Sequence, residues 1–323
     1  MKPRAYDGPR LGPWSRRLAV ARHTYDQMLR NRWIRHIVFI HVLATAFQAG
    51  FILLLGKIAS PTSFTTVNEF LRQLNFQWFL AGQTLFNWIS ANPDVALGTS
   101  QNVTLYFLCV STTLPGTLIA LALALPHLIC RDKATSAMTV YLSRALGRKD
   151  YLIGKAGAVV GLLGVSWILP TLGSWLLGNL LTGDFRFLVW SLGALGHTVA
   201  FLALATAFLT ILALGISSLS SRDSMVISQF LILWAVLSPV AESFSDTDNP
   251  LRHLSFSRNL DEIARAIFNF QNDFSELATR LKLPNDILRQ VDLGETHVLM
   301  PGLVLLGMAI LALVFSIRST RST

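Results

Sequence analysis

Groups that could do chemistry are sparse in this sequence, and none is arranged for it. A nucleotide-binding loop needs two glycines separated by four residues, then Lys and a hydroxyl side chain for Mg²⁺. Gly147 to Ala156 comes nearest, but six residues separate Gly147 from Gly154, and Ala156 stands where the hydroxyl belongs. ATP hydrolysis by the chain itself is therefore not expected. His41, His127 and His197 lie in or near apolar runs with no i, i+4 pairing, so they do not suggest a metal site. Each reads as a hydrogen-bonded packing residue. Ser166, Thr171, Ser174 and Asn179 are scattered over one apolar run, where Ser and Thr usually bond their own helix or a neighbour. No nucleophile–base pair appears. The sequence thus carries no expected catalytic residue, cofactor site or metal site.

The elements that would position such groups are the stronger signal. Of 323 residues, 52% are hydrophobic and 14% charged, against roughly 25% charged in a soluble domain. That deficit indicates a membrane protein. A formal net charge of +9 would suggest nucleic acid in a soluble protein. Here the basic residues flank apolar runs and no nucleic-acid-binding signature occurs, so membrane lipid and topology account for them and nucleic acid is excluded as a partner. Cys109 and Cys130 lie too far apart along one span to pair.

Six spans are predicted, over about Ile34 to Leu55, Val103 to Ile129, Tyr151 to Leu177, Phe187 to Ile216, Met225 to Ala241 and Val298 to Ile317. None contains Asp or Glu, so no intramembrane carboxylate relay is available to drive transport. Pro115, Pro126, Pro170 and Pro239 are placed to kink their spans. Gly157, Gly161 and Gly164 favour a tight helix contact, within the chain or between two copies. Lys and Arg number nine in residues 1–35 and five in residues 130–150, while residues 242–297 hold ten Asp/Glu against six Lys/Arg. Positive residues stay inside, which puts both termini in the cytoplasm. The fold class is all-α: a polytopic membrane protein with six transmembrane helices, a single transmembrane domain over 1–323, placed in the cell (inner) membrane.

Three flanking pieces have structure of their own. Within residues 1–35 a helix from Trp14 carries an apolar stripe of Leu18, Ala21, Tyr25, Met28 and Leu29, and reads as an interfacial amphipathic lead-in. Residues 56–102 are extracytoplasmic and aromatic-rich, with Phe64, Phe70, Phe76, Trp78, Phe79, Phe86 and Trp88. The sequon Asn102-Val103-Thr104 reads as accidental. In 242–297 a helix starting at Asn259 or Asp261 aligns Ile263, Ile267, Phe270, Phe274, Leu277 and Leu281 until Pro284, and a second short helix spans 285–291. These helices are placed to cover the outer mouth of a pathway, or form a solvated folded loop.

The most polar and basic stretch between spans is Cys130 to Lys155. Ala134, Met138, Tyr141, Leu142 and Ala145 share one helical face there. Such a helix can lie on the membrane surface and meet a soluble partner; the other reading is a basic loop that only fixes topology. The run YLSRALGRKDYLIGK from Tyr141 to Lys155 resembles permease subunits of the type 2 ABC exporter family. Leu142-Ser143-Arg144, Arg148, Asp150-Tyr151 and Gly154-Lys155 match the family's run, while Ala145 replaces its usual Pro and Gly147 its usual Ser.

The resemblance implies a membrane-spanning subunit of an ATP-driven exporter moving an unidentified substrate; the few charged groups in the spans favour a lipidic or amphipathic cargo over a small ion. Its partners would be a separate ABC ATP-binding subunit, which holds the ATP, and a second permease, identical or a paralogue. Residues 134–146 would be the coupling helix. The implied ATPase-docking residues are Met138, Tyr141, Leu142, Ser143, Arg144, Arg148 and Asp150; Arg148 and Lys149 serve equally as topology anchors. Asp150 suits the N-terminus of the third span. The implied outer gate is Ile263, Ile267, Phe270 and Phe274. The alternative is a non-transporting membrane scaffold or assembly protein that recruits a cytosolic partner through its basic loop.

Overall fold

The computed structural model describes residues 12–59, 84, 87–88, 91–137, 147–244, 250–281 and 298–320. Among them there is no strand, and six helices are long and apolar enough to cross a membrane. In chain order the principal helices are α1 (Pro13–Leu29), α2 (Arg32–Ala59), α3 (Pro93–Ala134), α4 (Arg148–Leu181), α5 (Phe185–Trp190), α6 (Leu192–Leu219), α7 (Asp223–Glu242), α8 (Phe256–Ile267), α9 (Phe270–Leu281) and α10 (Leu299–Ser319). The spans are α2, α3, α4, α6, α7 and α10.

Three spans are not regular. α3, α4 and α7 each contain a π-helical turn, at Phe107–Thr113, Gly164–Ile168 and Ile232–Val236. Pro115, Pro170 and Pro239 follow these turns within three residues. Proline has no N–H to return to the carbonyl four residues back, and its ring crowds that carbonyl, so the turn ahead of it widens. The carbonyls so released find other donors. Ser166 O, four residues before Pro170, accepts from His41 Nδ1 at 2.5 Å. Thr113 Oγ1 donates to Leu108 O at 2.6 Å, and Trp167 Nε1 to Cys109 O at 3.2 Å. Pro126 produces a sharper break: α3 tightens to a 3₁₀ turn at Leu125–His127, then restarts at Cys130. In a bilayer core such breaks survive only where protein groups take over the freed backbone.

α3 and α6 are the central spans; α2, α7 and α10 present apolar side chains outward, among them Phe39, Leu43 and Phe47 of α2 and Leu306, Ile310 and Leu311 of α10. The core between them includes Trp167 against Phe201, with centroids 5.9 Å apart. α1 lies along α4. A Cβ on Gly154 would sit 2.7 Å from Val20 Cβ and 2.9 Å from Arg17 O, and Ala21 and Tyr25 pass Gly157 and Gly161 at 3.4 Å. The small-residue stripe of the third span is therefore spent within the chain at Gly154, Gly157 and Gly161, whereas a Cβ on Gly164 would meet nothing within 4 Å. Of the expected stripe on α1, Ala21, Tyr25, Met28 and Leu29 pack, joined by the buried Thr24, and Leu18 is exposed.

Four boundaries differ from expectation. Pro93–Asn102, read as part of an extracytoplasmic segment, extends α3 to 42 residues, about 63 Å of helix at 1.5 Å per residue and well beyond a bilayer core of about 30 Å. Phe187 is on the separate short helix α5, capped by Asp184, so the fourth span starts at Leu192. The outer helix begins at Phe256, with Ser255 accepting from Arg258 N as its cap. It also breaks where a continuous stripe was expected, because Asn269 takes a left-handed φ of 49°. The second outer helix expected over 285–291 lies outside the described residues, as do all the aromatics named above for 56–102 except Trp88, which is buried.

Candidate functional site

Two polar layers cap the span bundle, one at each end. The first is built on the flanks of the basic loop. At the break after Pro126, Leu125 O takes Leu128 N at 3.1 Å in a 3₁₀ turn, and Ile129 N and Cys130 N turn to a side chain instead. Ser217, at the end of α6, serves all three: its Oγ donates to Leu125 O at 2.8 Å and accepts from Ile129 N at 2.9 Å and Cys130 N at 3.1 Å. The restarted turn Cys130–Ala134 then projects charged side chains toward three other elements. Arg131 meets Asp223, at the start of α7, through Nη2 at 2.8 Å and Nε at 2.9 Å. Lys133 Nζ donates to Ser218 O at 2.9 Å. Asp132 takes Lys155 Nζ and the Tyr151 hydroxyl, each at 2.7 Å, from one face of α4. Lys155 also donates to His127 O at 3.2 Å and its side chain is only 5% exposed. On the far side of the loop, Asp150 pairs with Arg17 of α1 at 2.6 Å.

Both described ends of the loop are thus fastened to α1, α4, α6 and α7. Turning of the chain begins at once, since Ser136 has a φ of 54°. Of the docking residues implied by the resemblance, Met138, Tyr141, Leu142, Ser143 and Arg144 lie outside the described residues. Arg148 is exposed in the first turn of α4, beside the equally exposed Lys149. Asp150 is in that same first turn, where the helix N-terminus favours a carboxylate, but its side chain is turned to Arg17.

The second layer lies under α8 and α9. Ile263, Phe270 and Phe274 of the implied gate are buried, with Ile267 half-buried. Their aromatic members rest on α3: Phe270 is 4.1 Å from Tyr106 and 5.4 Å from Phe107, and Phe274 is 6.4 Å from Phe107, centroid to centroid. The break between α8 and α9 is held by Asn102 of α3. Its amide donates to Phe268 O and to Asp273 Oδ2, and its Oδ1 accepts from His197 Nδ1 of α6 at 3.0 Å. A buried, fully engaged Asn102 explains the sequon as a packing residue. Burial pushes the Asp273 carboxyl above its ordinary range, against the stabilising Asn102 amide.

Beside this hub lies a cavity of about 370 Å³, lined by Tyr106, Phe107, Glu242, Arg258, Asp261 and Arg265, with further walls from Glu262 and Phe270. Tyr106 donates to Asp261 at 2.5 Å, Arg265 pairs with Asp261 at 3.0 Å, and Arg258 with Glu262 at 3.3 Å. Each of the three histidines in or near the spans is hydrogen-bonded: His41 to Ser166 O, His197 to Asn102, and His127 to Arg131. The two cysteines are free and buried. No cluster of metal-ligating side chains occurs among the described residues.

Sequence reading missed Ser217, Asn102 as a hub, and the Asp132–Lys155–Tyr151 cluster. Only the last left a trace, since Tyr151 and Lys155 are four apart and share a helix face. No protein-family model matches the chain, and no curated protein matches it. The fold and its apolar exterior define a multi-pass α-helical membrane protein.

Proposed function

We propose that the chain is the permease subunit of an ATP-driven exporter of the type 2 ABC kind, energised by a separate ATP-binding subunit docked on residues 130–150. In this reading the N-terminus and the loop face the cytoplasm of a cell whose inner membrane holds the spans. The observation that carries it is the fastening of both loop flanks. A force applied to residues 135–147 reaches α1 through Asp150–Arg17, α4 through Asp132–Lys155, and the α6–α7 turn through Arg131–Asp223 and Lys133–Ser218. A loop that merely fixed topology would need positive charge but no such set of ties. The absence of carboxylates from the middle of the spans agrees with an external energy source.

The test is co-expression with ABC ATP-binding subunits of the same genome, beginning with any encoded next to this chain. A stable complex, lost in Tyr141→Asp or Leu142→Asp, with ATP-dependent export that fails in the same variants, supports the proposal. A complex that forms but shows neither export nor cargo-stimulated hydrolysis favours a recruiting scaffold.

A further inference from the structure

Two cavities meet at one side chain. The charged chamber under α8 has Phe107 in its wall. So does a groove of about 580 Å³ between α2 and α3, lined by Leu43, Phe47, Gln48, Phe51 and Leu108 besides Phe107. The π-helical turn of α3 divides them: Ser111 lines the chamber, and the next residue, Thr112, lines the groove. One space is therefore polar and the other apolar, and the Phe107 side chain forms part of the wall of both.

The chamber holds three carboxylates, Glu242, Asp261 and Glu262, against two guanidinium groups, Arg258 and Arg265, leaving one negative charge in excess. Tyr106, Phe107 and Phe270 add three ring faces or edges within the same wall. Excess carboxylate beside clustered aromatic rings is the chemistry that holds an ammonium group. The groove opens on the outward side of α2, where Phe47 is 81% exposed. It has one anomaly. Gln48 is only 8% exposed, and its Nε2 has no hydrogen-bond partner. A buried donor left unpaired in an apolar groove marks a missing acceptor.

We infer that chamber and groove form one site for an amphiphile that enters from the membrane, its ammonium head among the chamber carboxylates and rings, its acyl tail in the groove, and its acyl carbonyl accepting from Gln48 Nε2. Binding of this kind belongs to the chain alone. It holds or fails independently of an ATPase partner.

The experiment uses the full chain in nanodiscs of digalactosyldiacylglycerol, which is uncharged and has no ammonium group. The probe is palmitoylcholine with a diazirine in its acyl chain; the control is the palmitoyl isethionate of the same tail, which is anionic. Expected is saturable photolabelling of residues 40–51 and 104–112 by the choline ester, with the anionic ester about tenfold weaker, the size of one cation–π or ion contact. Glu242→Gln, at a side chain 78% exposed and so harmless to folding, lowers choline-ester affinity by about the same factor. Gln48→Leu weakens both esters, and Leu43→Trp, at another exposed position, blocks the groove to both. Equal labelling by the two head groups, non-saturable labelling, labelling elsewhere, or indifference to Glu242→Gln and Gln48→Leu overturns the assignment.

Discussion

Arg17 of α1 and Asp150 in the first turn of α4 form an ion pair of 2.6 Å across 133 positions of sequence. The pair adds a polar tie to a contact between α1 and α4 that is otherwise built on small and apolar side chains. Val20, Ala21 and Tyr25 pass closely over Gly154, Gly157 and Gly161. Asp150 thus does two things at once: it favours the start of α4 electrostatically, and it fixes the register of the lead-in helix beside the loop.

That double role gives a measurable asymmetry. Asp150→Ala is expected to cost more than Arg17→Ala, because it also removes the carboxylate from the helix N-terminus, a contribution of about 0.3–1 kcal/mol. A double-mutant cycle, read by thermal unfolding in detergent, is expected to give a coupling on the order of 1 kcal/mol for this partly exposed pair. A coupling of zero would show that the glycine contacts alone seat α1.

The glycine contacts can be tested separately. Gly154→Leu drives a side chain into Val20 and the Arg17 carbonyl, with an expected loss of about 1–3 kcal/mol from overpacking. Proteolysis of the N-terminal helix is expected to accelerate in parallel. Gly164→Ala, where nothing lies within 4 Å, should leave both readouts unchanged.

The buried cluster around Asp132 has a sharper signature. Asp132→Asn leaves the Lys155 ammonium, 5% exposed, without its counter-ion, and removing one partner of a buried pair typically costs about 3–5 kcal/mol. Lys155→Met in the same background is expected to recover most of that loss, since the uncompensated charge is gone. Denaturant unfolding of the two variants checks the order. A double variant no more stable than Asp132→Asn would mean that the hydrogen bonds of Tyr151 and His127, not the charge, hold this end together.

At the other end, Asp273 makes stability depend on pH with a definite sign. Burial raises its folded-state carboxyl above the ordinary 3.8, with Glu276 adding to the rise and Asn102 and His197 opposing it. In the interval between the two values the folded chain binds more protons than the unfolded one, so stability falls as pH rises through it and is fullest below 3.8. Hydrogen exchange in α8 and α9 is expected to quicken as pH rises through that interval, and Asp273→Asn to flatten the profile. A profile unaltered by the substitution removes Asp273 as the cause.

Much of this architecture was legible because length and hydropathy leave few choices to a 20-residue apolar run. The spans and the proline irregularities follow from local sequence. What escaped were features in which polarity or apolarity points the wrong way. Pro93–Asn102 is too polar to read as part of a span, yet α9 packs against it, and Gln101 pairs with Asn179 at 3.0 Å inside the bundle. Phe187 to Trp190 is apolar enough to merge with the next span, but the Gly183–Asp184 turn and the cap on Arg186 set it apart. The stripe from Ile263 to Leu281 keeps helical spacing across a break that only Asn269 and its neighbour's bond to Asn102 reveal. Pairings such as Asp132–Lys155 and Arg17–Asp150 are tertiary, and no local pattern encodes them.

The Arg131–Asp223 pair separates stability from coupling. Its side chains are 50% and 44% exposed, so breaking it is expected to cost less than about 1 kcal/mol of stability. In the proposed exporter it is also the direct tie between the loop and α7, the span that runs up to Glu242 and the charged chamber. Arg131→Asp should therefore leave the complex with the ATPase and its basal hydrolysis near wild type while lowering export per ATP hydrolysed. Asp223→Arg alone should do the same. The exchanged pair, Arg131→Asp with Asp223→Arg, restores the attraction with opposite polarity and is expected to recover export. Restoration distinguishes a mechanical tie from a site that needs a particular charge, because a partner recognising Arg131 itself would reject the exchanged pair. Export and hydrolysis measured together in proteoliposomes check it. Export that stays at wild-type stoichiometry in both single variants would remove this contact from the path between loop and spans, leaving Asp132–Lys155 and Lys133–Ser218 to carry it.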